Sequence, residues 1–122
     1  CKGCQRLTAS AFSLSGLVPS DSFEVTQGEP AIGALHGAHR HFFCDYCKSW
    51  LFTRPEGLDW IVNFRATMLD DASGFSEPFM ETYTCEKLPW VSTPARYSFT
   101  QFPELDDYTR IIEDFAAKGA PG

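Results

Sequence analysis

The chain has 122 residues, enough for one domain with a buried core. Its 10 basic and 16 acidic residues give a net charge of −6, with no basic cluster to hold nucleic acid or an anionic membrane, and the acidic excess reads as ordinary solubility. No uncharged apolar run approaches the ~20 residues of a membrane span, and no charged stretch leads into an apolar one as in a signal peptide.

In chain order, CKGCQRLTASAF comes first and places Cys1 and Cys4 in a Cys-x-x-Cys pair, with Gly3 allowing a sharp turn between them. SFEVTQGEP, residues 22–30, alternates Phe23 and Val25 with polar neighbours and predicts a strand that breaks at Gly28 and Pro30. GALHGAHR, residues 33–40, is rich in Gly and Ala and reads as a hairpin tip. His36, His39 and His41 are then surface histidines, and His39 and His41 share a face if the segment is extended. RHFFCDYCKSWLFTR, residues 40–54, predicts two short strands joined by a knuckle that carries Cys44 and Cys47.

LDWIVNFRATML, residues 58–69, shows the clearest alternation. Trp60, Val62, Phe64, Ala66 and Met68 are expected on a buried face, with Asn63, Arg65 and Thr67 on a wet one. MLDDASGFSEP, residues 68–78, is a turn-rich loop expected to border a reactive site through Asp70 and Asp71. FMETYTCEKLPW, residues 79–90, predicts a strand ending before Pro89, with Trp90 packed in the core. RYSFTQFP, residues 96–103, predicts a further short strand stopped by Pro103. ELDDYTRIIEDFAAKG, residues 104–119, predicts the one long helix, with Leu105, Tyr108, Ile111 or Ile112, and Phe115 on one face and Gly119 as its stop. No repeat or linker interrupts the chain, so residues 1–122 are expected to form a single, mainly β domain finished by a short C-terminal helix.

The five cysteines form two Cys-x-x-Cys pairs, Cys1/Cys4 and Cys44/Cys47, plus Cys85. An odd count in this arrangement points to zinc in a reducing, cytoplasmic setting rather than to a secreted disulfide framework. The i, i+3 spacing lets two thiolates converge on one Zn²⁺ from a tight turn whose N–H groups also donate to sulfur. A redox dithiol is expected between a strand and a helix in a βαβ setting, which the chain lacks. Cys85 reads as a small, partly buried side chain.

The succession CKGCQRLTASAF, FEVTQGEP, HFFCDYCKSWLF, TMLDD and EPFMETYTCEKLPW resembles the glutathione-dependent formaldehyde-activating enzyme family, also called centromere-protein-V-like, over Cys1 to about Trp90. The resemblance implies a zinc-bearing β-tent fold of stacked, curved antiparallel sheets. It also implies a carbon–sulfur lyase that reversibly joins glutathione, or a similar small thiol, to formaldehyde or another small aldehyde. Matched to the family pattern, Cys1 and Cys4 resemble the last two ligands of a three-cysteine catalytic zinc site. Cys44 and Cys47 resemble half of a structural zinc site. The family's earlier Cys-x-Cys, and the cysteine two positions before Cys1, have no counterpart, so the sequence is expected to start inside a longer protein; the four visible cysteines closing one zinc is the alternative. Lys48 and Ala9 stand where the family has glycine, and Lys48 is expected to alter the turn around Cys47.

In an open three-thiolate site, a substrate thiol loses its proton and attacks a carbonyl whose oxyanion needs a cation. Arg6 is the candidate for that cation or for a clamp on a substrate carboxylate, its alternative being a surface arginine packed on Phe12. The competing reading of the whole chain is a non-catalytic zinc module for structure or protein binding.

Overall fold

Aromatic residues on both sides of the second cysteine pair build the framework that the alternation predicts. The computed structural model describes residues 1–36, 39–75 and 77–119, and among these the chain forms seven β-strands and two α-helices joined by 3-10 turns. No described helix is long and apolar enough to cross a membrane. The chain divides into two compact units, Ser13–Asp70 and the pair of segments Cys1–Phe12 and Asp71–Gly122.

The Ser13–Asp70 unit is one antiparallel sheet of β1 (Ser15–Pro19), β2 (Ala31–His36), β3 (His39–Phe43), β4 (Trp50–Arg54) and β5 (Ile61–Arg65), in the order β1-β5-β4-β3-β2. Phe42 pairs with Phe52, and Phe52 with Phe64, so three aromatic rings lie side by side on one face. Phe42 stacks on Phe52 at 4.7 Å between centroids, and Phe23 tilts onto Phe52 at the same distance. Gly16 sits opposite Phe64 in β1, where an added Cβ would lie 2.2 Å from the Phe64 ring. The ring occupies the space that glycine leaves open.

The other face is polar as well as aromatic. His41 pairs with Thr53, and Thr53 with Asn63. The register of β3 and β4 shifts between Phe42 and Phe43, so Phe43 faces Trp50 and Leu51 is the extra residue. A bulge of this kind turns a side chain to the opposite face, and Trp50 leaves the Phe52 side to meet His41 at 5.2 Å. The Arg65 guanidinium lies over the Trp50 ring at 3.7 Å and donates to Ser15 Oγ at 2.6 Å and Thr53 Oγ1 at 2.7 Å. His41 Nδ1 lies 2.8 Å from the same threonine oxygen.

Four expectations for this unit are corrected. Residues 22–30 form no strand; the Phe23 N–H closes a turn onto Ser20, and its ring serves the sheet from a loop. Strand β5 is shorter than the alternation suggests. Trp60 precedes it in a turn and is 53% exposed, while Met68 ends a 3-10 turn and is 48% exposed. Val62 and Ala66 are fully buried, as expected, but Ile61 and Arg65 are buried as well, because β5 lies between β1 and β4 with both of its faces in use. His41 is buried rather than on the surface. Gly37 and Ala38 of the expected hairpin tip lie outside the described residues.

The second unit holds α1 (Lys2–Thr8), a two-stranded parallel sheet of β6 (Met80–Glu81) and β7 (Tyr97–Ser98), and α2 (Leu105–Asp114), which continues as a π-helical turn over Phe115–Gly119. The predicted C-terminal helix is therefore present, with Ile111 buried and Leu105 exposed at its start. The Glu104 N–H donates to Asp107 Oδ2 at 3.2 Å, one limb of a capping box. Phe79 packs edge-on against both Tyr97 and Phe115, and the Tyr97 hydroxyl donates to Asp114 at 2.8 Å.

The expected strand over residues 79–88 shrinks to two residues, because Tyr83 takes a left-handed conformation (φ 55°) and the chain turns into a 3-10 segment, Thr84–Glu86. Cys85, in that turn, is exposed rather than partly buried. Trp90 is 75% exposed, so it does not plug a core; Val91 beside it is the buried residue.

Two stability predictions follow from these contacts. Gly16→Ala forces the Phe64 ring aside and is expected to lower stability by about 1–3 kcal/mol, read by denaturant unfolding. Glu81 accepts from the Thr93 hydroxyl at 2.7 Å and the Ser98 hydroxyl at 2.9 Å, with Lys87 at 3.6 Å, and these partners hold its carboxyl below the usual range, the Thr93 hydrogen bond most of all. A depressed folded-state value contributes stability above the unfolded pKa, and that contribution is lost as pH falls through the folded one. Glu81→Gln is therefore expected to lower Tm at neutral pH, with the gap from the unsubstituted protein closing below about pH 4.

Candidate functional site

The first cysteine pair is built by a helix start, where the sequence suggested only a turn. Cys1 is the N-cap of α1, and its sulfur accepts the Cys4 N–H at 3.4 Å. This satisfies one of the donors that a helix start leaves unpaired. The same geometry brings Cys1 Sγ and Cys4 Sγ to 3.4 Å. Two thiolates on one tetrahedral zinc lie about 3.8 Å apart for Zn–S bonds of ~2.3 Å, so the pair fits one edge of such a site after opening by a few tenths of an ångström.

Arg6 lies in the last turn of the same helix and is exposed. The helix then ends at Ala9 in a left-handed conformation (φ 49°, ψ 41°), with its N–H returned to the Gln5 carbonyl. Glu86 reaches the start of α1 from its 3-10 turn: Oε2 accepts the Lys2 N–H at 2.6 Å, and its carbonyl accepts from Gln5 Nε2 at 3.0 Å. Sequence reasoning passed over Glu86, since a lone glutamate eighty-four residues away carries no spacing signal.

The second pair sits in the knuckle between β3 and β4. The Cys44 N–H donates to the Ser49 carbonyl and the Lys48 N–H to the Cys44 carbonyl, both at 2.9 Å. Lys48 is left-handed at φ 62°, which turns the chain back so that Ser49 faces the Cys47 sulfur. Hydrogen bonds from the Ser49 hydroxyl (3.1 Å), the Ser49 N–H and the Cys44 thiol hold the Cys47 thiol down at about 7. These are the N–H and side-chain donors that a thiolate knuckle uses, and the expectation that Lys48 alters the turn is corrected: lysine adopts the glycine conformation. The Lys48 ammonium folds onto the Asp45 carboxylate at 3.0 Å.

Two shallow depressions of about 350 and 260 Å³ flank this knuckle, the first lined by Ile32, Phe43 and Lys48, the second by Glu29, Cys44 and Tyr46. In the loop expected to border the reactive site, Asp71 is engaged in an Asx turn with the Ser73 N–H at 3.0 Å, and Ser73 holds its carboxyl below the usual range. Ser76 of that loop lies outside the described residues.

All five thiols are free. Among the described residues, no group of three or more His, Cys, Asp or Glu side chains is arranged to hold a metal ion. The Cys1–Cys4 sulfurs, 3.4 Å apart, have the spacing of two neighbouring donors, and the Cys47 sulfur lies among hydrogen-bond donors in its knuckle.

The left-handed positions carry a prediction. Holding a side chain in that region costs roughly 1–2 kcal/mol, offset in part by the greater chain entropy that glycine loses on folding. Lys48→Gly and Ala9→Gly are each expected to raise stability by about 0.5–1 kcal/mol, measured by thermal and denaturant unfolding.

A search of curated proteins finds no match. A family model described as the glutathione-dependent formaldehyde-activating enzyme matches residues 1–86, which spans α1, the five-stranded sheet, both cysteine pairs and the Glu86 turn. The chain belongs to the glutathione-dependent formaldehyde-activating enzyme family.

Proposed function

We propose that this protein is a zinc-dependent carbon–sulfur lyase that joins a small thiol of the glutathione type to formaldehyde or a similar small aldehyde. The observation that carries the reading is the Cys1–Cys4 pair, with its sulfurs 3.4 Å apart at a capped helix start inside the matched region. Family membership and the antiparallel five-stranded sheet support placing the fold in the β-tent class. Five free thiols are consistent with a reducing compartment such as the cytoplasm.

In this reading Cys1 and Cys4 are ligands of the reactive zinc, and Cys44 and Cys47 are ligands of a structural one. A zinc held by thiolates with an open position supplies a deprotonated substrate thiol and Lewis-acid stabilisation of developing negative charge. The reaction forms one S–C bond while the carbonyl electron pair moves to oxygen, and the thiol proton ends on the new hydroxyl. The chain's own residues orient this chemistry. Cys1 caps α1 and so fixes the angle at which both sulfurs leave the turn.

Arg6 follows Cys4 by two residues, about 200° round the helix, so the two side chains do not face one another. That offset suits a clamp on a remote carboxylate of a peptide-like thiol better than contact with the oxyanion. The knuckle around Cys47 presents its sulfurs among fixed donors, as suits a site that only holds structure.

The competing reading is a non-catalytic zinc module for structure or protein binding. Zinc content and thiol-dependent formaldehyde consumption separate the two. Cys4→Ala is expected to keep its fold while losing bound zinc and activity, and Cys47→Ala to give insoluble or zinc-free protein, since structural metal binding is coupled to folding. If Cys4→Ala unfolds as completely as Cys47→Ala, the pairs serve one structural zinc and the lyase reading loses its site.

A further inference from the structure

The first turn of α1 is gripped from outside by Glu86. Lys2 is the first residue of the helix, and its N–H is among the donors that a helix start leaves without an internal partner. That N–H donates to Glu86 Oε2 at 2.6 Å, a charge-assisted bond, while Cys1 Sγ takes the Cys4 N–H at 3.4 Å. One turn along, Gln5 Nε2 donates to the Glu86 carbonyl at 3.0 Å. The residue thus touches α1 at two points, one beside each cysteine.

Glu86 is held in its turn with unusual care. Tyr83 opens the 3-10 segment from a left-handed conformation, and the Glu86 N–H returns to the Tyr83 carbonyl at 3.1 Å. The N–H groups of Tyr83, Thr84 and Cys85 donate in succession to the carbonyls of Gln101, Phe99 and Thr100, at 3.3, 3.2 and 3.3 Å. The Thr84 hydroxyl adds a second bond to the Phe99 carbonyl at 3.2 Å. A left-handed tyrosine persists only where its surroundings over-determine it, and such strain gathers where geometry matters.

We infer that Glu86 is a positioning residue for the Cys1–Cys4 pair: its carboxylate and carbonyl lock the first turn of α1 so that the two sulfurs stay one coordination edge apart. The inference rests on the proposed reading of Cys1 and Cys4 as metal ligands. Outer partners of this kind orient ligands without touching the metal, and their loss typically weakens metal binding about ten- to a hundred-fold. The role requires an acceptor at Oε, which glutamine also supplies and alanine does not.

The test titrates the reduced protein with Co²⁺ and follows the thiolate-to-metal absorption in the unsubstituted protein, Cys4→Ala, Glu86→Ala and Glu86→Gln. The signal lost in Cys4→Ala identifies the part due to the first pair. Glu86→Ala is expected to weaken that part about ten- to a hundred-fold, leave the Cys47-dependent part unchanged, and be rescued by Glu86→Gln. Gln5→Ala, which removes the other limb alone, is expected to cost about two- to ten-fold and keeps the test readable if Glu86→Ala does not fold.

Unchanged cobalt affinity in Glu86→Ala, or a loss as large in Glu86→Gln, overturns the inference. If Cys4→Ala binds as much cobalt as the unsubstituted protein, the metal reading itself fails. Amide hydrogen exchange over residues 2–5 then decides for the clamp: faster exchange in Glu86→Ala that Glu86→Gln restores supports it, and no acceleration overturns it.

Discussion

Among the described residues, three non-glycine positions hold a left-handed backbone, and each one borders a cysteine-bearing segment. Ala9 ends the helix that carries Cys1 and Cys4, Lys48 closes the knuckle of Cys44 and Cys47, and Tyr83 opens the turn that holds Cys85 and Glu86. Each costs roughly 1–2 kcal/mol that other contacts must offset. The offsetting contacts are visible. The Ala9 N–H returns to Gln5, Ser49 is brought onto the Cys47 sulfur, and the Tyr83 turn is bonded to the 99–101 segment. Of the three, the reversal at Lys48 is the one that sets a cysteine pair, since it turns Ser49 onto the Cys47 sulfur.

The five-stranded sheet that frames the Cys44–Cys47 knuckle has a constraint of its own. Arg65 is buried, and a buried guanidinium is costly unless its donors are satisfied. It lies over the Trp50 ring and donates to Ser15 and Thr53. The bulge at Leu51 makes this possible by moving Trp50 to the face where Arg65 lies. Without that extra residue the indole would fall among the phenylalanines, and the guanidinium would lose its ring. The strand that leaves the knuckle is therefore set in place by a polar–aromatic cluster as much as by the Phe42–Phe52–Phe64 row.

The two cysteine pairs use different means to the same end. Cys1 and Cys4 rely on helix geometry, with one sulfur capping the turn that carries the other. Cys44 and Cys47 rely on a reversal whose donors converge on sulfur and stabilise the thiolate. The proposed reading gives the first pair a reactive role and the second a structural one. Glu86 fits this division, since it braces the pair that has less support of its own.

The sequence by itself determined the local features whose causes are local. The aromatic strands on either side of the knuckle, the amphipathic helix after Glu104 and the two Cys-x-x-Cys pairs were legible from spacing and residue type, and the family from the resemblance of the whole succession of motifs. So was the importance of positions 9 and 48, although not that Ala and Lys would keep the left-handed form there. Features that depend on distant partners were decided by the tertiary structure. Trp60 was expected in the core from the alternation and Trp90 from its place after a strand-ending proline, yet both are exposed, and Arg65 looked wet until Trp50 arrived by a bulge. Residues 22–30 alternate like a strand but have no strand to pair with, and residues 79–88 lose theirs to the turn at Tyr83. The bonds from α1 to Glu86 join residues more than eighty positions apart, and only the folded chain brings them within hydrogen-bonding distance.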